Sequence, residues 1–122
     1  MSTQVPSVVR KITTLAQLDS AMADSSIRPV LIFKHSTTCG MSLMAAEEVA
    51  ELLDTGPIEA DIYVVDVGAG REVSRAIADR LKTRHESPQV LLIRNGVVRW
   101  HRSHMSVTAA AIARALQQLT GR

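Results

Sequence analysis

The chain predicts an α/β fold, a mixed sheet covered by helices on both faces, and three observations carry that prediction. β-type apolar runs alternate with segments of helical periodicity in the order β-α-β-α-β-α-β-β-α. The crossover from the second strand through a helix to the third makes those two strands parallel and the connection right-handed. Near the C-terminus, Asn95-Gly96 separates two further runs by two residues, the strongest short hairpin signal, which adds an antiparallel edge. With 122 residues and 46% hydrophobic content, one domain over 1–122 is expected to bury its core without disulfides or structural metal.

Residues 1 to 7 read as a frayed start, and Val8 to Thr13 as a short strand. Thr14-Leu-Ala-Gln17 is a capping-box pattern opening a helix with Leu15, Leu18 and Met22 on one stripe, ending near Ser25-Ser26. Pro29 introduces the continuous apolar run Val30 to Phe33, a central strand buried on both faces. A second helix is expected from about Cys39 to Leu53. Met41, Met44, Ala45, Val49, Leu52 and Leu53 form its inner stripe, Glu47, Glu48 and Glu51 its wet side, and Gly56-Pro57 its stop. Ala60 to Val67 is a third strand. Gly68-Ala-Gly70 lacks the third glycine of a dinucleotide loop and reads as a strand-to-helix turn. A third helix follows from about Arg71 to Thr83, carrying Val73, Ala76, Ile77 and Leu81. After Ser87-Pro88 come the hairpin strands Gln89 to Arg94 and Val97 to about Arg102. Ser106 is the expected cap of a last helix, Val107 to about Leu119, with Val107, Ala111, Ile112, Ala115 and Leu119 inside.

Composition removes several function classes. The aromatics are Phe33, Tyr63 and Trp100 only, too few for stacking on single-stranded nucleic acid. A formal net charge of +2, with no basic block, describes a mixed-charge solvated surface and no nucleic-acid partner. One cysteine closes no intramolecular disulfide and builds no clustered-cysteine metal site. The four histidines show no paired ligand spacing, so no metal site is expected. Met1-Ser-Thr-Gln-Val-Pro lacks a signal-peptide pattern and no apolar run approaches a membrane span, so no membrane partner and a cytoplasmic, reducing location are expected.

Cys39 stands where the second strand gives way to a helix. There a thiol meets unpaired backbone N–H groups and the positive end of the helix dipole, which favour the nucleophilic thiolate. The polar run Lys34-His-Ser-Thr-Thr38 before it argues for an exposed terminus. Side chains alternate along a strand, so only one of Lys34 and His35 can turn its positive field toward the sulfur, and alternation alone does not say which. Three residues beyond Cys39, where a dithiol enzyme would carry a second cysteine, stands Ser42. Its hydroxyl either faces water or donates to the thiolate. Topology gathers the rest of the candidate site. The strand after Pro88 runs antiparallel to the second and so begins at the cysteine end, and the last strand returns His101 to Ser106 there. Ser87, Pro88 and His104 are therefore grouped with Cys39. A last helix starting at that end would offer N–H groups to an anion, which makes Ser103, His104 and Ser106 candidates for holding a carboxylate of a substrate.

The strand, the turn, the helix-terminal cysteine and X-Pro before a hairpin together resemble the thioredoxin fold with its cis-proline loop, over nearly the whole chain. More narrowly, Phe33-Lys-His-Ser-Thr-Thr-Cys39, Ser87-Pro-Gln-Val-Leu-Leu-Ile-Arg-Asn-Gly and Trp100-His-Arg-Ser-His104 resemble the YtxJ-type monothiol bacilliredoxins of the bacillithiol system. The usual family motif reads Thr-Cys-Pro-Ile-Ser; here it is Thr38-Cys39-Gly40-Met41-Ser42, with Gly40 in place of proline. The resemblance implies a monothiol oxidoreductase with Cys39 as nucleophile and Ser42 in the resolving position. It implies a cis Ser87–Pro88 bond that leaves the Ser87 backbone free to pair with a client segment. It implies S-thiolated client proteins as partners, and a low-molecular-weight thiol such as bacillithiol as co-substrate with no tightly bound cofactor. A second thiol or a partner reductase would regenerate Cys39. The motif also stands close to the Cys-Gly-Phe-Ser of monothiol glutaredoxins. An iron–sulfur carrier bridged by two copies of Cys39 and two small thiols is thus one alternative, although the glutaredoxin Gly-Gly pair after the hairpin is missing. A non-catalytic binding protein of the same fold is another.

Overall fold

The computed structural model describes residues 9–56 and 58–121. The expected frayed start, the first residue of the expected first strand (Val8), and Pro57 lie outside the described residues. Five strands, β1 (Val9–Lys11), β2 (Val30–His35), β3 (Asp61–Asp66), β4 (Gln89–Arg94) and β5 (Val97–Ser103), form one sheet in the order β1-β3-β2-β4-β5. β1 and β2 both lie parallel to β3. β4 runs antiparallel to β2, and β5 antiparallel to β4. The Asn95-Gly96 turn places Asn95 at φ 55° and Gly96 at φ 74°, the left-handed pair that a two-residue hairpin demands.

Among the described residues four α-helices cover the sheet: α1 (Leu15–Asp24), α2 (Gly40–Asp54), α3 (Arg71–Leu81) and α4 (Ala109–Thr120). The capping box forms as expected: the Thr14 hydroxyl accepts from the Gln17 N–H, and the Gln17 side chain accepts from the Thr14 N–H. Strand alternation splits the core into two layers. Leu31, Phe33, Ile62, Val90 and Leu92 pack against Ala45, Val49 and Leu52 of α2 and Ile112, Ala115 and Leu116 of α4. Val30, Ile32, Tyr63, Val65, Leu91 and Ile93 pack against Leu18 and Ala21 of α1 and Val73, Ile77 and Leu81 of α3. No helix among the described residues is long and apolar enough to cross a membrane.

Two expectations are corrected. The inner stripe of α2 is Ser42, Ala45, Val49 and Leu52, whereas Met41 and Met44 are 37% and 51% exposed. The helix is rotated because Ser42 is drawn inward by a hydrogen bond, which turns its neighbour Met41 out. α4 is capped by Thr108, not Ser106. A 3₁₀ turn, His104–Ser106, precedes the helix, so Val107 is buried ahead of it instead of within it.

Candidate functional site

β2 ends at His35, and Cys39 is the N-cap of α2, in extended conformation at φ −109° and ψ 125°. Its N–H donates to the Ser36 carbonyl at 3.3 Å, and its own carbonyl accepts the first helical bond, from Leu43 at 3.2 Å. Ser42 is 1% exposed, and its hydroxyl accepts from the Ser36 N–H at 3.0 Å, which ties the turn to the first turn of the helix. That side chain is therefore a buried structural link and does not face water. The half-exposed Cys39 opens on a cavity of about 370 Å³ shared with His35, Thr38, Gly40, Ser42 and Leu43.

The sulfur makes no capping hydrogen bond as a thiol. Even so, its pKa is held below the ordinary value. The Ser42 backbone N–H contributes most, then the Met41 N–H; burial opposes them, and the Ser42 hydroxyl adds a lesser lowering. These donors gain only when the sulfur is ionised, which is the condition for an activated nucleophile.

Strand alternation resolves which of Lys34 and His35 lies on the side of the thiol. His35 shares the face of Leu31 and Phe33, stacks on the Phe33 ring at 5.3 Å between centroids, and lines the Cys39 cavity. Lys34 shares the opposite face with Val30 and Ile32 and is fully buried. Its ammonium donates to Gln89 Oε1 at 2.8 Å. Lys34, expected as a support of the thiol, thus takes no direct part in the cysteine's surroundings.

The hairpin brings the remaining residues to the same end of the sheet. Gln89, the first residue of β4, pairs with Lys34 on one side and Ser103 on the other. The Ser87–Pro88 bond is cis, Pro88 is buried, and the Ser87 hydroxyl is buried without a hydrogen-bond partner among the described residues. His104 donates its backbone N–H to the Pro88 carbonyl at 2.9 Å and adopts φ 54°, a conformation that non-glycine residues rarely hold. Its Nδ1 lies 3.2 Å from Glu86 Oε2. The Glu86 carboxyl is held below the usual range, first by the Ser103 hydroxyl and then, against the effect of burial, by His104, Arg84 and His101. His104 also lines a groove of about 190 Å³ with Met41, Met44 and Met105, so it reaches the helix that carries Cys39.

Ser106 is exposed and caps nothing. The α4 terminus that was expected to receive a carboxylate already holds one: the Ala109 N–H donates to Glu48 Oε1 at 2.9 Å and the Ala111 N–H to the Thr108 hydroxyl at 3.2 Å. Glu48, expected on the wet side of α2, supplies that charge. Glu86 is the other residue that sequence reasoning missed. Its signal was available, because a hairpin that pairs Gln89 with Ser103 must bring residue 104 against the segment before Pro88. Among the described residues no group of three or more His, Cys, Asp and Glu could hold a metal ion.

Comparison with known proteins agrees with this geometry. The family described as "Monothiol bacilliredoxin BrxC" matches residues 10–112. Among solved structures, the chain is similar to a thioredoxin-fold protein provisionally described as an oxidoreductase. That protein is 29% identical, with a TM-score of 0.77 over 88% of this chain and 93% of the other. The reduced thioredoxin pre-protein of Schistosoma mansoni is 19% identical, with a TM-score of 0.73 over 92% and 98%. The thioredoxin of Fasciola hepatica is 18% identical, with a TM-score of 0.71 over 89% and 97%. The fold is the thioredoxin fold.

Proposed function

This chain belongs to the monothiol bacilliredoxin family, and we propose that it reduces mixed disulfides between protein cysteines and a low-molecular-weight thiol of the bacillithiol type, with Cys39 as the nucleophile. The observation that carries this reading is a lone, half-exposed cysteine at a helix N-cap whose thiolate is favoured by the N–H groups of Ser42 and Met41. The Cys39 thiolate attacks the sulfur of the small thiol. The bond to the client sulfur breaks, the client leaves as thiolate, and Cys39 keeps the small thiol as its own mixed disulfide. A second small-thiol thiolate, or a partner reductase, then attacks that disulfide and restores Cys39. Each exchange conserves one disulfide, so the net change is a reduced client and an oxidised small thiol. Ser42 cannot close an internal disulfide, so resolution comes from outside. Such chemistry belongs in a reducing compartment, for which the cytoplasm is the reading we adopt.

His35 supplies an imidazole beside the Cys39 cavity. The segment before Pro88, with Ser87 at its end, is the edge on which an extended client strand would lie. His104 lines the groove on the other side of α2 and is joined through Glu86 to Ser103, and these two are the groups we assign to the small-thiol half of the substrate. Ser106 is exposed beside them.

The test is turnover of a single-cysteine protein carrying a bacillithiol mixed disulfide, followed by mass spectrometry. The native protein should free the client and acquire the adduct on Cys39, and Cys39→Ser should do neither while keeping its fold. Client release at the native rate by Cys39→Ser would defeat the reading. A native protein that refuses the adduct yet assembles a coloured, thiol-dependent dimer would replace it with the iron–sulfur carrier.

A further inference from the structure

Lys34 is a buried charge that the thiol chemistry leaves unused. It is 0% exposed, on a strand face whose other members, Val30 and Ile32, are apolar. A buried ammonium costs more than an aliphatic side chain would in the same place, so packing alone does not account for it. Its hydrogen-bond partner is Gln89, itself 1% exposed, at 2.8 Å. The Gln89 amide then holds the segment before Pro88 at two points. Its Oε1 also accepts the Glu86 N–H at 3.4 Å, and its Nε2 donates to the Arg84 carbonyl at 3.1 Å. Glu86 in turn meets His104 Nδ1 at 3.2 Å.

We propose that Lys34 is a positioning residue. Its buried ammonium orients Gln89, Gln89 fixes the segment from Arg84 to Pro88, and that segment sets the client edge and the Glu86–His104 pair. Lys34 touches neither the sulfur nor the substrate. The inference rests on the thiol-exchange reading only for its activity measurement.

The arrangement carries its own pH signature. Burial lowers the Lys34 pKa from 10.5 to about 8, opposed by the Glu86 carboxylate. The charges that act with it are Glu86 and His85, both from the same segment; the strands on either side present Val65 and Gln89. The ammonium is therefore in place at neutral pH and is lost as the pH rises through about 8.

Lys34→Met keeps an unbranched side chain, one atom shorter, and removes the charge. Alkylation of Cys39 by iodoacetamide, a small reagent that needs no client edge, should stay within about twofold of native. Reduction of the bacillithiol-blocked client should fall by about tenfold or more, because a misplaced binding edge is costly in rate. The native rate, corrected for thiolate fraction, should decline above pH 8 and the variant's should not. The Glu86 amide resonance of the native protein should move with a midpoint near 8, and that movement should vanish in Lys34→Met. Gln89→Leu removes the relay but leaves Lys34 in place, and should reproduce the loss of client reduction if the lysine variant fails to fold. A native protein that reduces no mixed disulfide would overturn the functional reading alone, since the amide titration still decides the role of Lys34. Native client kinetics in both variants, or a Glu86 amide indifferent to pH around 8, would overturn the proposal.

Discussion

A cysteine placed one residue before a helix meets N–H groups that the helix cannot satisfy for itself, and here those of Ser42 and Met41 bear most on the sulfur. The Ser42 hydroxyl ranks below both. Ser42→Ala should therefore raise the thiolate midpoint, followed by ultraviolet absorbance, while leaving it below that of an ordinary thiol. The same change orphans the Ser36 N–H, at a cost of about 1–3 kcal/mol in denaturant unfolding. A midpoint at or above the ordinary value would transfer the credit from the backbone to the hydroxyl. Lys34 presents the opposite case, a residue whose environment works against its charge. Its pKa falls from 10.5 to about 8, so between those values the unfolded chain binds more protons than the folded one, and stability rises with pH across that window. Lys34→Met should accordingly be the more stable protein at pH 7, by up to about 3 kcal/mol, and the advantage should shrink toward pH 10. Urea unfolding at the two pH values checks the sign. A variant that gains stability while losing client reduction would separate function from folding at one residue.

At the scale of elements, the start of α2 and the start of α4 are built differently for different ends. α4 has its first turn closed by Thr108 and by Glu48 from the neighbouring helix, so its dipole is spent on holding the two helices together. α2 leaves its first turn facing a cysteine, with no side-chain cap on its N–H groups from Cys39. Gly40 is the first helical residue, and a Cβ built there meets nothing within 4 Å. Cys39 before it is extended at ψ 125°, the conformation that a following proline requires. Proline at the first helical position fixes φ without removing a helical hydrogen bond. Gly40→Pro, which restores the usual family motif, should stabilise the protein by about 0.4–1 kcal/mol, mainly by restricting the unfolded chain. Because the Met41 and Ser42 N–H groups remain, the thiol should stay acidic. Thermal unfolding and the thiolate titration measure the two effects, and a destabilised variant would mean that Gly40 serves a movement of this turn.

Across the whole molecule, what the sequence made legible was whatever depends on short-range pattern. The Thr14–Gln17 capping box, the Asn95-Gly96 turn and the alternation of runs lead to the element order and the hairpin without reference to distant contacts, and family blocks point to Cys39. What stayed hidden depends on partners far apart in the chain. Glu48 reads as a wet glutamate until α4 is laid beside it, and Glu86 reads as loop until β5 returns. Met41 reads as core until Ser42 is seen to bond the turn behind it. The same remote geometry decides what one substitution would do to the chemistry of the entire protein. An N-cap side chain and the side chain three residues on meet across the first helical turn, as they do in a capping box. The Ser42 hydroxyl already bears on the Cys39 thiol from that position. Ser42→Cys should therefore form an internal disulfide on oxidation and expel the small thiol from Cys39 without a second thiol. The reduced variant should be about 1 kcal/mol less stable, since a thiol accepts the Ser36 N–H poorly. Mass spectrometry after treatment with the small-thiol disulfide distinguishes the two proteins: an adduct retained by the native chain, and two hydrogens lost with no adduct in the variant. Retention of the adduct by the variant would show that the Ser42 position does not reach the sulfur, and that the monothiol character of this chain lies in its geometry as well as in its missing cysteine.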